Sequence, residues 1–82
     1  MQRFAFLVNV QLKGHVRDPR GETIRRVLKE EKGLPVERLR IGKAILLEVE
    51  ALSEEEARGV VERACSEMLV NPVVEDYEVL AL

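Results

Sequence analysis

Val36-Glu-Arg-Leu-Arg-Ile-Gly-Lys-Ala-Ile-Leu-Leu-Glu-Val-Glu-Ala51 is the stretch whose reading decides the fold. At alternate positions, Leu39, Ile41, Ile45, Leu47 and Val49 fall on one face. Arg38, Arg40, Gly42, Ala44, Leu46, Glu48 and Glu50 fall on the other, which is the period of two of a β-strand. Only Lys43 interrupts the apolar face. The alternation keeps its parity across Gly42, which favours one long central strand bent or bulged at the glycine, with a hairpin turn at Gly42 as the alternative. Ala44 and Leu46 are surplus apolar surface for a sheet covered on one side, and they point to a partner over them.

Upstream, Phe4, Phe6, Val8, Val10 and Leu12 alternate with Ala5, Leu7, Asn9, Gln11 and Lys13, giving a first strand that ends at Gly14. Asp18 is suited to cap a helix with Pro19 at its first position, and Ile24, Val27 and Leu28 then recur at helical spacing up to Gly33. Downstream, Ser53 and Glu56 form a capping box, with Glu54 and Glu55 also at the positive end of the helix dipole. Ala57, Val60, Val61, Ala64, Cys65, Met68 and Leu69 predict one buried face of that second helix, and Gly59 is a candidate close-approach point. Asn71-Pro72 stops the helix, and Val73 to Leu82 reads as a last strand. The expected fold is α+β: a two-layer sandwich with two helices on one face of a mainly antiparallel sheet, as one domain over residues 1–82.

Eighty-two residues sit near the size at which a single core is only just sufficient and association supplies the missing burial. Aromatic residues are 4% of the chain and there is no Trp, which removes the stacking platforms that single-stranded nucleic acid or a flavin requires. A net charge of -2 argues against binding polyanions non-specifically. No apolar run reaches membrane-spanning length, the N-terminus lacks a signal-peptide pattern, and the lone Cys65 has no disulfide partner, so a cytoplasmic location is expected. The abundance of Glu, Arg, Leu and Val suits a thermophile.

Candidate chemistry is sparse. His15 is the one residue with a pKa near neutrality, in a loop beside Arg17 and Asp18, but no nucleophile accompanies it, so an interface role is the better expectation. Cys65 falls on the core face of the second helix and reads as a small buried hydrophobe. The His, Cys and carboxylate spacings match no metal site, and the isolated glycines make no phosphate-binding loop. Arg38, Arg40 and Lys43 form a basic cluster suited to an acidic or phosphate-bearing partner, or else to a solvated face balanced by Glu48 and Glu50.

Four stretches of the chain resemble the PurS subunit family of phosphoribosylformylglycinamidine (FGAM) synthase. They are the opening strand into Lys13, Val16-Arg-Asp-Pro-Arg-Gly21 before a helix with Ile24, the Val36 to Leu47 run with Arg40-Ile-Gly-Lys43, and Leu69-Val-Asn-Pro-Val-Val-Glu-Asp-Tyr77. The last two are the more specific. The resemblance implies a subunit without catalytic residues or a cofactor of its own. It also implies two larger partners, a glutaminase that releases ammonia and a synthetase that uses ATP, Mg and glutamine-derived ammonia. The small subunit would dock one on the other and help contain the ammonia, with Arg40, Lys43, Asp18 and His15 as candidate docking residues.

Self-association as a homodimer or homotetramer is expected through Ala44, Leu46, Val74, Leu80 and Leu82, with no nucleic acid or membrane partner. Two other functions are compatible with a sandwich of this size. One is a small acylphosphatase-type enzyme using Arg17 and Asn71, and the other is a ligand-sensing regulatory module.

Overall fold

A computed structural model describes residues 1–82. The elements run β1 (Gln2–Leu12), α1 (Pro19–Glu30), β2 (Gly42–Ala51), α2 (Glu54–Ala64) and β3 (Glu75–Ala81), with a π-helical turn over Cys65–Leu69 extending α2. The three strands form an antiparallel sheet in the order β2-β1-β3. This is the α+β arrangement expected from the two periodicities.

Phe6, Val8 and Val10, alternate residues of β1, are fully buried, because β1 is the middle strand and α2 lies over it. Ala57, Val61 and Cys65 supply the helix side of that core at steps of four. Phe4, Ile45, Leu47, Val49, Leu69 and Val79 pack around them, half-buried. The Ser53 hydroxyl accepts from the Glu56 amide at 3.1 Å, so α2 begins at its expected cap.

Three expectations are corrected. The strand predicted from Val36 begins only at Gly42, and the middle position belongs to β1. Gly42 pairs with Gln11 at the end of β1, so residues before it have no strand to bond with. Gly42 is therefore neither a bend nor a hairpin turn; it opens β2 where a Cβ would collide with the Val10 carbonyl oxygen. Second, Met68 is 88% exposed, because the π-helical turn, closed by the Val70 amide on the Cys65 carbonyl at 3.1 Å, shifts the helical phase and swings Met68 outward. Third, Gly59 meets nothing within 4 Å and is no close-approach point.

The chain is elongated, 53 × 25 × 13 Å, with a radius of gyration of 16.6 Å. A compact chain of this length measures about 12 Å. Eleven residues of strand span roughly 36 Å and twelve of helix roughly 18 Å, so the long axis matches β1 and α1 laid end to end. Most of the helix-to-sheet packing is thus made by α2, while α1 is carried at the end of the sheet.

Candidate functional site

Two apolar surfaces are left uncovered. The first is the sheet face opposite α2. Leu7 is paired with Leu46 on one side and Leu80 on the other, so three leucines form a row across all three strands. Leu46 is 63% exposed and Leu80 41%. Ala44 lies two pairs along from Leu46 on the same face, opposite Asn9, and the exposed Leu82 donates its amide to the Ala5 carbonyl at 3.0 Å. Val74, half-buried, sits in the turn before β3, where its carbonyl accepts from the Lys13 amide at 2.8 Å. Ala44, Leu46 and Leu80 thus share one face as expected, and Leu7 joins them. Leu7 falls on the polar side of the first strand's alternation, where a single leucine beside Ala5 and Asn9 was the available signal.

Charged pairs rim this face. Arg3 reaches Glu50 at 3.3 Å and Glu48 at 4.0 Å, while Lys13 reaches Asp76 at 3.1 Å. Glu48 and Glu50 therefore pair with Arg3 and do not balance Arg38, Arg40 and Lys43. Such exposed pairs contribute little stability, and they give the apolar patch a charged border.

The second surface is the arm formed by α1 and the connector after it. Ile24 is 38% exposed, and Val27 and Leu28 are half-buried. The arm holds itself together: the Leu34 amide returns to the Leu28 carbonyl at 3.0 Å, and Lys29 pairs with Glu37 at 2.8 Å. That pair holds the Glu37 carboxyl below its ordinary pKa, chiefly through the hydrogen bond from Lys29.

Where the arm meets the sheet, Asp18 is the one buried charged residue, 6% exposed. Its carboxylate accepts from the Gly21 amide at 3.0 Å and the Ile41 amide at 2.8 Å. These bonds, Ile41 before Gly21, outweigh desolvation and lower its pKa, with Arg40 and Arg20 adding attraction. Buried, with each carboxylate oxygen hydrogen-bonded inside the chain, Asp18 offers no exposed charge to a partner. Arg40 is also committed inside the chain, donating from Nη2 to the Lys13 carbonyl at 2.8 Å. Lys43 keeps about half of its side chain in solvent, 3.7 Å from Glu75. His15 lies exposed in the loop between β1 and α1. Of the four candidate docking residues, Lys43 and His15 are reachable, while Asp18 and Arg40 build the joint.

Elsewhere the reactive groups have structural neighbours. Burial, and then Glu62, push the Cys65 thiol above its ordinary pKa. The Tyr77 hydroxyl donates to Glu62, and this bond raises the phenol to about 12. Asn71 shapes the turn before β3, its side-chain oxygen accepting from the Val73 amide at 3.1 Å, which occupies the residue nominated for an acylphosphatase. No group of three or more His, Cys, Asp or Glu side chains is placed to hold a metal ion. No helix is long and apolar enough to cross a membrane.

A family model, PurS, described as phosphoribosylformylglycinamidine (FGAM) synthase, matches residues 5–82. The PurS subunit of the Thermotoga maritima synthase is 62% identical over 82 residues, all of both chains. A chain in the structure of PurLQS from Thermotoga maritima superposes with a TM-score of 0.96, at 62% identity, over the whole of both. PurS of Methanocaldococcus jannaschii, one of the subunits of formylglycinamide ribonucleotide amidotransferase in the purine biosynthetic pathway, gives 0.84 at 32% identity, covering 96% of this chain and 95% of that one. Matched over nearly all its length in sequence and in fold, the chain belongs to the PurS family of subunits of FGAM synthase, an enzyme of purine biosynthesis.

Proposed function

We propose that this chain is the non-catalytic assembly subunit of FGAM synthase, docking a glutaminase subunit on the ATP-dependent synthetase subunit and helping to contain the ammonia passed between them. The observation that carries this is the pair of uncovered apolar surfaces, the Leu46-Leu7-Leu80 row and the α1 arm, at separate places on a body 53 Å long. A chain that pairs with its own copies and also bridges larger proteins needs separate surfaces, and an elongated form provides them more readily than a sphere. The Thermotoga maritima relative in PurLQS supports the same assignment of partners.

In this reading ATP, Mg and glutamine are used by the large subunits, and the small one binds no cofactor. Two or four copies associate through the open sheet face, which removes the leucine row from water. In the same reading the assembly works in the cytoplasm.

The test is glutamine-dependent amidine formation by the two large subunits with and without this chain. Stimulation that saturates at a fixed ratio of subunits is the expected result. No stimulation, or phosphate release from acyl phosphates by the chain alone, would overturn it.

A further inference from the structure

The α1 arm is joined to the sheet through a small set of contacts. On the arm side, Gly21 is pressed so closely to its surroundings that a Cβ would lie 2.6 Å from the Asp18 Oδ2 and 2.8 Å from the Leu39 carbonyl oxygen. Across the joint, the Asp18 carboxylate bonds the Gly21 amide in the first turn of α1 and the amide of Ile41, the residue that leads directly into β2, so one side chain ties the start of α1 to the start of β2. The Arg40 guanidinium, next in sequence to Ile41, takes the Lys13 carbonyl where β1 ends. That bond to Lys13 is the one side-chain hydrogen bond that connects residues 14–41 with the rest of the chain.

We propose that Asp18 is a positioning residue that sets the direction of the α1 arm relative to the sheet, and that this fixed direction lets both apolar surfaces meet their partners at once. The second half rests on the assembly role given above. The physical reason is geometric. An arm about 18 Å long that pivots by a few tens of degrees moves its tip by several ångströms, so a loose joint would spread the arm over many orientations, most of them unable to dock. Holding it in one orientation lowers the ordering cost of association. A buried carboxylate suits this task, because two charge-assisted bonds to amides of different segments are stronger and more directional than apolar contact.

Asp18 also caps α1, so the test must separate capping from joining. Asp18→Ser keeps an oxygen for the Gly21 amide but is too short to grip the Ile41 amide as well. Asp18→Asn keeps the size and replaces one acceptor with a donor. Ser53→Ala removes the equivalent cap from α2, away from the joint, and serves as the control.

Spin labels at Glu30→Cys on α1 and Glu55→Cys on α2, in a Cys65→Ala background and diluted with unlabelled chain, report the arm-to-sheet distance by pulsed electron paramagnetic resonance. One narrow distribution is expected for the parent and for Ser53→Ala, and broad ones for Asp18→Ser and Asp18→Asn. In the coupled reaction with both large subunits, the Asp18 variants should need about tenfold more small subunit for half-maximal rate, yet reach the parent rate at saturation. A narrow distribution in both variants overturns the joint. Broad distributions with unchanged half-saturation overturn its role in assembly. A parent chain that fails to stimulate the large subunits overturns the assembly role itself, and the distances then decide the joint independently.

Discussion

The Arg40 guanidinium donates to the carbonyl oxygen of Lys13 at 2.8 Å, which ties the connector entering β2 to the point where β1 ends. Two basic residues three apart in sequence therefore have different duties, since Lys43 keeps about half of its side chain in solvent. Arg40→Ala is expected to destabilise the chain by about 1 kcal/mol, the value of a part-buried hydrogen bond. Lys43→Ala should leave the melting curve within about 0.5 kcal/mol and instead raise the small-subunit concentration needed for half-maximal coupled activity, by roughly fivefold or more. Thermal melts of the isolated variants and a titration into the coupled assay check both. Equal melting of the two variants would contradict the division of roles.

Leu46→Glu and Leu80→Glu each place a charge in the three-leucine row without opening a cavity, because both side chains already face solvent in the single chain. Stacked copies would have to bury that charge unpaired, which is costly. Sedimentation velocity at micromolar concentration is expected to show the parent as an oligomer and both variants as monomers. A parent that sediments as a monomer removes the motive for the open face.

Tyr77 is the single tyrosine and the chain has no tryptophan, so its ionisation is read directly from ultraviolet absorbance. The bond to Glu62 raises the phenol from 10 to about 12, and Glu62→Gln should bring the transition back towards the ordinary value. The raised folded-state pKa means that the unfolded chain loses this proton first as pH rises. Stability from the bond is complete below about pH 10, declines above it, and is gone once pH passes about 12. A wild-type phenol titrating at its ordinary value would show that the Glu62 contact does not persist in solution.

Cys65 is fully buried, and burial together with Glu62 raises its thiol pKa. Native chain should react with a thiol reagent only as fast as it opens, whereas denatured chain reacts at once. Cys65→Ala is expected to cost about 1 to 2 kcal/mol for the lost sulfur, with coupled activity retained. Loss of activity in a correctly assembled Cys65→Ala complex would assign the thiol a chemical role.

Local signals were legible wherever the physics is local. The faces of β1, the Ser53 cap and the buried line Ala57, Val61 and Cys65 follow from alternation, capping chemistry and helical spacing within a few residues of each other. The same applies to part of the candidate interface, since Ala44, Leu46 and Leu80 were identifiable as surplus apolar residues on strands that already had a core face.

Alternation assigns faces, but it is silent on whether a strand has a neighbour. The residues from Val36 to Ile41 carry a strand pattern with nothing to pair against, because β1 has ended at Leu12 by the time the chain reaches them. Which strand is in the middle, and that Leu7 completes a row with Leu46 and Leu80, depend on contacts between residues far apart in sequence. The direction of α1 was hidden for the same reason. Its apolar spacing is that of a packed helix, yet Asp18 and Arg40 anchor it at the end of the sheet, and that anchoring depends on Asp18 reaching Ile41 and Arg40 reaching Lys13 across loops that only the folded chain closes.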